Sequence, residues 1–148
     1  MIQSRLMPSS ERIIEPMLAL ARCSKHHRII VAGSQRSELM FELHRRGYGR
    51  VATTTTCGLP DGRYDVALVD WRQHSINALE TTLDWLVHFL GPSGVLVAWV
   101  DPQERAGSRK LRTMLEAHGF VVEAGTVRDY GSAVAARRCE ARPISKVA

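Results

Sequence analysis

The stretch FVVEAGTVRDYGSAVAAR, residues 120–137, contains two β-forming segments separated by a short turn. Residues 120–127 and 132–137 are rich in apolar and β-branched side chains, and the RDYG sequence between them is typical of a turn. Parallel strands need a crossover connection of a dozen or more residues, so a connection this short allows only antiparallel pairing. The sequence therefore predicts an antiparallel hairpin.

Upstream of this hairpin, apolar strand-like runs alternate with helical patterns. Such alternation is typical of βαβ units in a mostly parallel sheet. We expect an α/β fold, a three-layer sandwich in which one reversed strand lies near an edge of the sheet. The predicted upstream strands are residues 29–33, 51–56, 64–70 and 95–100.

The helices are predicted from apolar spacing and from serines suited to N-capping. The first helix is expected to begin after Ser9 or Ser10 and to kink or restart at Pro16. Ser37 and Ser108 are the expected caps of the second and fourth helices. The third is marked by leucines at positions 79, 83, 86 and 90 and is expected to end before Gly91.

The length of 148 residues favours one domain. We expect a loose arm over residues 1–9, the α/β domain over residues 10–138 and a flexible basic tail over residues 139–148. No apolar run approaches the ~20 residues that span a bilayer, and no signal peptide is recognised, so we expect a cytoplasmic protein without membrane contact. Three widely spaced cysteines, Cys23, Cys57 and Cys139, predict free thiols and no metal site.

The formal net charge is +5. Basic residues are scattered along the sequence, which favours a solvated surface over a nucleic-acid footprint. The basic tail nevertheless leaves a nucleic-acid-binding accessory domain open as one alternative.

Three short sequence segments at the starts of predicted strands carry a resemblance to a known family through their order and spacing. They are LPDGRYDVALV (59–69), LGPSGVLV (90–97) and LEAHGF (115–120). Together with the terminal hairpin they resemble class I S-adenosylmethionine-dependent methyltransferases over residues 10–138. The resemblance implies a Rossmann-like sheet and S-adenosylmethionine as the cofactor. It also implies cofactor contacts at the ends of the strands, at Gly33, Ser34, Thr53, Asp70 and Trp71.

The cofactor signature of that family is altered in this sequence. The family has a GxGxG loop after its first strand, and the loop here is GSQRS (33–37), in which Gly33 alone is retained. Arg36 would bring a cation near the sulfonium of the cofactor. The acidic residue that binds the ribose is replaced by threonines at 53–56, which cannot form its charge-assisted hydrogen bonds.

The connection from Thr56 to Tyr64 has only seven residues. A parallel return past one neighbouring strand needs a path of roughly 19 Å, given strand spacing near 4.8 Å. Seven extended residues reach about 24 Å at most. A strand that the family normally has at this position, with part of the adenine pocket, is therefore expected to be absent.

Three residues are candidates for chemistry at the carboxyl edge of the sheet, where open α/β folds bind ligands. Asp70 ends the third strand, His74 follows in the next loop, and Asp101 follows the fourth strand. His74 would serve as a general base, whereas Trp71 would stack on an adenine or a substrate ring. The alternative for each is structural: an exposed capping carboxylate, a solvated histidine and a rim aromatic.

These observations favour a methyltransferase-fold protein with weakened or lost cofactor binding, which acts as a binding module for a small molecule or a protein. An active small methyltransferase with an unusual pocket is the alternative. A phosphate-accepting receiver domain fits less well, because the loop after the first strand lacks the acidic pair that holds magnesium.

Overall fold

The backbone of the computed structural model is described for residues 10–53, 58, 62–103 and 105–139. The expected arm and most of the expected tail lie outside these residues. The helices are α1 (Ser10–Ala21), α2 (Arg36–Arg45), α3 (Ile76–Leu86) and α4 (Arg105–Ala117), with a 3-10 turn at Val87–Phe89. The strands are β1 (Ile29–Gly33), β2 (Val51–Thr53), β3 (Tyr64–Trp71), β4 (Leu90–Val100), β5 (Phe120–Arg128) and β6 (Gly131–Arg138).

The six strands form one sheet in the order β2-β1-β3-β4-β6-β5. The first four are mutually parallel, and β6 runs antiparallel between β4 and β5. Only Asp129 and Tyr130 separate β5 from β6, which leaves no room for a crossover helix. The antiparallel hairpin predicted from the sequence is confirmed.

Helices cover both faces of the sheet and create two apolar cores. On one face, α1 packs on β4 and β6, and α2 packs on β1 and β2. On the other face, leucines of α3 and α4 pack against alternate residues of the central strands, such as Val69 and Ala98. The side chains of β3 therefore alternate between the cores, with Leu68 in the first and Val69 in the second. The three-layer sandwich is confirmed.

The short connection before β3 has the predicted consequence. β3 pairs directly with β1, and β2 is the terminal strand on that side of the described sheet. Of the predicted strand at 51–56, β2 covers Val51–Thr53, and residues 54–57 lie outside the described part. No strand is found between β2 and β3 in the described residues.

Several predicted element boundaries are wrong. Leu90 was expected in the third helix, but it is the first residue of β4 and pairs with Tyr64. The helix ends earlier because the chain tightens into the 3-10 turn. Ser37 and Ser108 lie within helices rather than at their caps, because α2 begins at Arg36 and α4 begins three residues before Ser108. Pro16 lies inside α1, which continues through it.

Among the described residues, no helix has the length and apolar character that crossing a bilayer would require.

Candidate functional site at the carboxyl edge of the sheet

The topology places the expected ligand crevice between the carboxyl ends of β1 and β3. The chain leaves β1 through α2 on one face of the sheet and leaves β3 through α3 on the other. This reversal is the topological switch point, outside which open α/β sheets bind their ligands. The loops that follow the two strands therefore define the candidate site.

These two loops are hydrogen-bonded to each other. The Ser34 amide donates to the Asp70 carbonyl at 2.8 Å. The Ser34 hydroxyl donates to the Arg72 carbonyl at 2.7 Å and lies 3.2 Å from the Asp70 carbonyl oxygen. Three donor–acceptor contacts thus bridge the space between the strand ends.

Gly33 allows this close approach. Its φ is +110°, and a Cβ built on it would lie 2.0 Å from the Asp70 carbonyl oxygen. Any side chain would collide with the backbone of β3, so glycine is required for packing between the strands. Retention of the first glycine of the loop is explained without a bound cofactor.

The Asp70 carboxylate is turned away from solvent into a buried ion pair. Asp70 and Arg72 have side-chain exposures of 0% and 1%. The Arg72 Nε donates to Asp70 Oδ1 at 2.8 Å, its Nη2 contacts Oδ2, and its backbone amide reaches Oδ1 at 3.2 Å. The carboxylate is therefore saturated by donors from its own strand end.

The same ion pair is tied to the helices that cover it. Arg72 Nη2 donates to the Ser10 hydroxyl at 3.1 Å, and that hydroxyl donates to Glu38 Oε1 at 2.9 Å. Ser10 is the first residue of α1 and Glu38 lies in the first turn of α2. The network links β3, α1 and α2 above the strand ends.

Arg36 adds a second cation to this region. Its Nη1 donates to the Gly33 carbonyl at 3.2 Å, so the guanidinium folds back over the loop after β1. That Arg36 would lie near the sulfonium of a bound cofactor stays a prediction. A sulfonium placed here would meet an unfavourable like charge.

Trp71 and His74 lie on the other side of the sheet from the Asp70 carboxylate. The Trp71 indole is buried, and its Nε1 donates to the Ser75 carbonyl at 2.7 Å. The exposed His74 ring packs beside it, with ring centroids 4.6 Å apart. Because neighbouring residues of a strand face opposite ways, Trp71 joins the core under α3 and α4, whereas Asp70 joins the network under α1.

Asp101 holds the loop after β3. Its Oδ2 accepts the Gln73 amide at 2.6 Å, and Gln73 has a φ of 65°, which is uncommon for a residue other than glycine. The carboxylate stabilises this turn. The three catalytic candidates have different surroundings: Asp70 is buried in an ion pair, Asp101 is bonded to the Gln73 amide and His74 is exposed.

Thr53 is buried at the end of β2, where it pairs in register with Val31. The threonines that follow lie outside the described residues. Among the described residues, no group of three His, Cys, Asp or Glu side chains is placed to hold a metal ion.

Sequence reasoning missed Arg72 and Ser10. The signal for Arg72 was present, because a residue two positions after Asp70 in an extended segment points to the same side. Ser10 lies sixty-two positions before Arg72, and only the fold brings it to the Arg72 guanidinium.

Comparison with solved structures identifies the fold. Over 90% of this chain and 79% of the other, it is similar to Burkholderia thailandensis 1,6-didemethyltoxoflavin-N1-methyltransferase, solved with bound 1,6-didemethyltoxoflavin and S-adenosylhomocysteine (TM-score 0.67, 16% identity). A SAM-dependent methyltransferase from Aquifex aeolicus matches over 91% of this chain and 93% of its own (TM-score 0.57, 14% identity). The [4+2]-cyclase SpnF matches over 88% of this chain and 81% of its own (TM-score 0.63, 14% identity).

No protein-family model matches the chain, and no curated protein matches it in sequence. The structural matches show that this chain has the Rossmann-like fold of class I S-adenosylmethionine-dependent methyltransferases. At identities this low the likeness concerns the fold alone.

Proposed function

We propose that this protein is a methyltransferase-fold module in which S-adenosylmethionine binding is weakened or lost, and that it acts by binding a partner rather than by methyl transfer. The observation that carries the proposal is the closed crevice between β1 and β3. The Ser34 bonds to the Asp70 and Arg72 carbonyls join the two strand ends outside which open α/β sheets bind their ligands.

Binding of the cofactor would require this arrangement to open. Freeing the Asp70 carboxylate to accept a ligand means withdrawing Arg72, which would leave a buried charge uncompensated. Threonines in place of the acidic residue that binds the ribose would weaken cofactor binding further, because loss of a hydrogen bond to a charged group costs about 1.5–3 kcal/mol. A loss of that size weakens affinity about ten- to a hundred-fold.

The similarity to a [4+2]-cyclase supports this proposal, because it shows that a protein with a similar fold can have a different activity. A fold of this kind carries different activities, and function has to be argued from the site. The Asp70 carboxylate is already engaged by Arg72, so binding of a protein or small molecule, rather than catalysis, is the role that we favour.

An active small methyltransferase is the second candidate. The exposed His74 beside the Trp71 ring favours it, because an imidazole at the carboxyl edge is available for proton transfer. In that case Asp70, His74 and Asp101 are the residues to substitute.

Calorimetric titration with S-adenosylmethionine and S-adenosylhomocysteine tests the proposal. We expect no saturable heat at sub-millimolar ligand. A micromolar dissociation constant that is lost in His74→Ala but retained in Arg112→Ala, a change on the exposed side of α4, would replace the proposal by the enzyme hypothesis.

A further inference from the structure

An arginine stands directly before each of the three strands on one side of the sheet. Arg28 precedes β1, Arg50 precedes β2 and Arg63 precedes β3. Because these strands are parallel neighbours in the order β2-β1-β3, the three arginines follow one another along the amino edge. These arginines are far apart in the sequence and become neighbours through the order and register of the strands.

Two further arginines extend this line. Arg137 lies near the end of β6, which is antiparallel and therefore ends at the same edge, and Arg22 follows the end of α1. We call Arg22, Arg28, Arg50, Arg63 and Arg137 the amino-edge arginine strip. It runs along the edge of the sheet opposite the crevice between β1 and β3.

The strip lines two adjoining cavities. Arg28 and Arg50 border a cavity of about 400 Å³, and the other three border a cavity of about 450 Å³. Tyr64 borders both cavities, and the Arg28 guanidinium lies 5.2 Å from the centroid of its ring. The cations therefore face a continuous recessed surface.

Little negative charge opposes these cations. Among the described residues that line the two cavities, the one carboxylate is Asp65, and its Oδ2 accepts the Arg28 amide at 2.8 Å. Glu123, on the adjacent surface, pairs with Arg137 at 2.9 Å. Five arginines and one carboxylate thus line the described part of the two cavities, an excess of positive charge that suits an extended anion.

The dimensions of the strip fit a nucleic-acid backbone. From β2 to β6 there are four strand steps, or about 19 Å at a spacing near 4.8 Å. Each strand of a duplex carries one phosphate per ~3.4 Å of helix axis, so a strip of this length extends past several phosphates. A single small anion would occupy only part of it.

Among the described residues that line the strip's cavities, no Phe, Trp or Tyr is exposed as a platform for bases. Tyr64 is only 6% exposed, and His27, the other ring in the cavity walls, is half-buried. Single-stranded nucleic acids are usually held by bases stacked on aromatic rings, whereas duplexes are held through their phosphates. We infer that the amino-edge arginine strip binds the phosphate backbone of a duplex nucleic acid without reading its sequence.

Fluorescence anisotropy of a labelled 20-base-pair DNA duplex, and of an RNA duplex of the same sequence, tests this inference. With five phosphate contacts, log K should fall against log salt with a slope of about −4.5. Arg22→Gln/Arg50→Gln/Arg63→Gln leaves two contacts and a slope of about −1.8. With equal affinities at 1 M salt, this difference in slope predicts that the triple variant binds about 500-fold more weakly than the wild type in 0.1 M salt.

Substitutions in α4 provide a charge-matched control, because the first residues of this helix follow the carboxyl end of β4, at the edge of the sheet opposite the arginine strip. Arg105→Gln/Arg109→Gln/Lys110→Gln removes the same charge from exposed positions and should leave affinity and slope close to those of the wild type. Circular dichroism and the Tm of both variants verify folding.

Equal weakening by both triple variants would overturn the inference, because net charge alone would then explain binding. Displacement of the duplex by micromolar inorganic pyrophosphate would overturn it in favour of a small-anion pocket. The strip and the crevice lie at opposite edges, so this test succeeds or fails independently of cofactor binding.

Discussion

Replacing Arg72 with methionine tests the buried ion pair that fills the candidate site. The substitution keeps most of the side-chain volume but removes the cation from a pair whose members are 1% and 0% exposed. Asp70 would then keep a buried charge with no guanidinium beside it, and Ser10 would lose its donor. Removing one partner of a buried pair costs about 3–5 kcal/mol, so the free energy of unfolding should fall by about 4 kcal/mol.

Urea denaturation followed by circular dichroism measures this change, with the slope m showing whether the folded state is altered. Asp70→Asn/Arg72→Met should lose less stability than Arg72→Met alone, since no uncompensated charge remains. Arg112→Met is the control, because its pair with Glu116 is 62% and 54% exposed and is worth less than about 1 kcal/mol. A loss below about 1 kcal/mol in Arg72→Met would mean that water reaches Asp70, and the closed crevice would be refuted.

Three further predictions concern other parts of the molecule. Gly33→Ala should lower the free energy of unfolding, measured in urea, by more than about 2 kcal/mol, because the added Cβ would collide with the Asp70 carbonyl. Gly49→Ala is the control and should change the free energy of unfolding little, because the space around Gly49 is open. Equal effects of the two substitutions would contradict the close approach of Gly33 to β3. Burial alone would lower the pKa of His118, but hydrogen bonds to a backbone carbonyl and to a carboxylate on α3 raise it. Protonated His118 should therefore stabilise the fold fully below pH ~6.5, and this stabilisation should be lost as the pH rises through the pKa of His118 in the folded state. The free energies of unfolding of the wild type and of His118→Gln should then converge at high pH. A difference between them that grows with pH would contradict this sign. Burial, with a smaller effect of a nearby carboxylate, raises the pKa of Cys23 to about 11, so in a variant with no other cysteine its thiol should react with Ellman's reagent slowly at pH 8 and fast after unfolding; equally fast reaction in both states would contradict this.

Much of the fold could be predicted from the sequence, because the lengths of the connections between strands limit how those strands can pair. The two-residue connection at Asp129 and Tyr130 forces the hairpin, and the short connection before Tyr64 rules out another helix and strand. The boundary at Leu90 was missed because four-residue leucine spacing continues by chance from α3 into β4. Periodicity alone cannot distinguish the last turn of a helix from the first residue of a buried strand.

The candidate site was less accessible to prediction, because its residues gain their roles from tertiary contacts. Asp70 at the end of a strand indicated a ligand-facing carboxylate, and only the packing of α1 shows that it is buried against Arg72. The amino-edge arginine strip was missed for the same reason. Arg28, Arg50 and Arg63 are far apart in the sequence and become neighbours through the register of the strands.

The closed crevice between β1 and β3 can be tested most directly by NMR titration of ¹⁵N-labelled protein with S-adenosylhomocysteine. The amides of Gly33, Ser34 and Arg72 report on this space, and the Ser34 amide is itself bonded to the Asp70 carbonyl at 2.8 Å. We predict that their cross-peaks keep their positions as the ligand is raised to millimolar concentration. Saturable shifts of these three amides with a micromolar midpoint would show that the crevice opens to the cofactor, and would contradict the account.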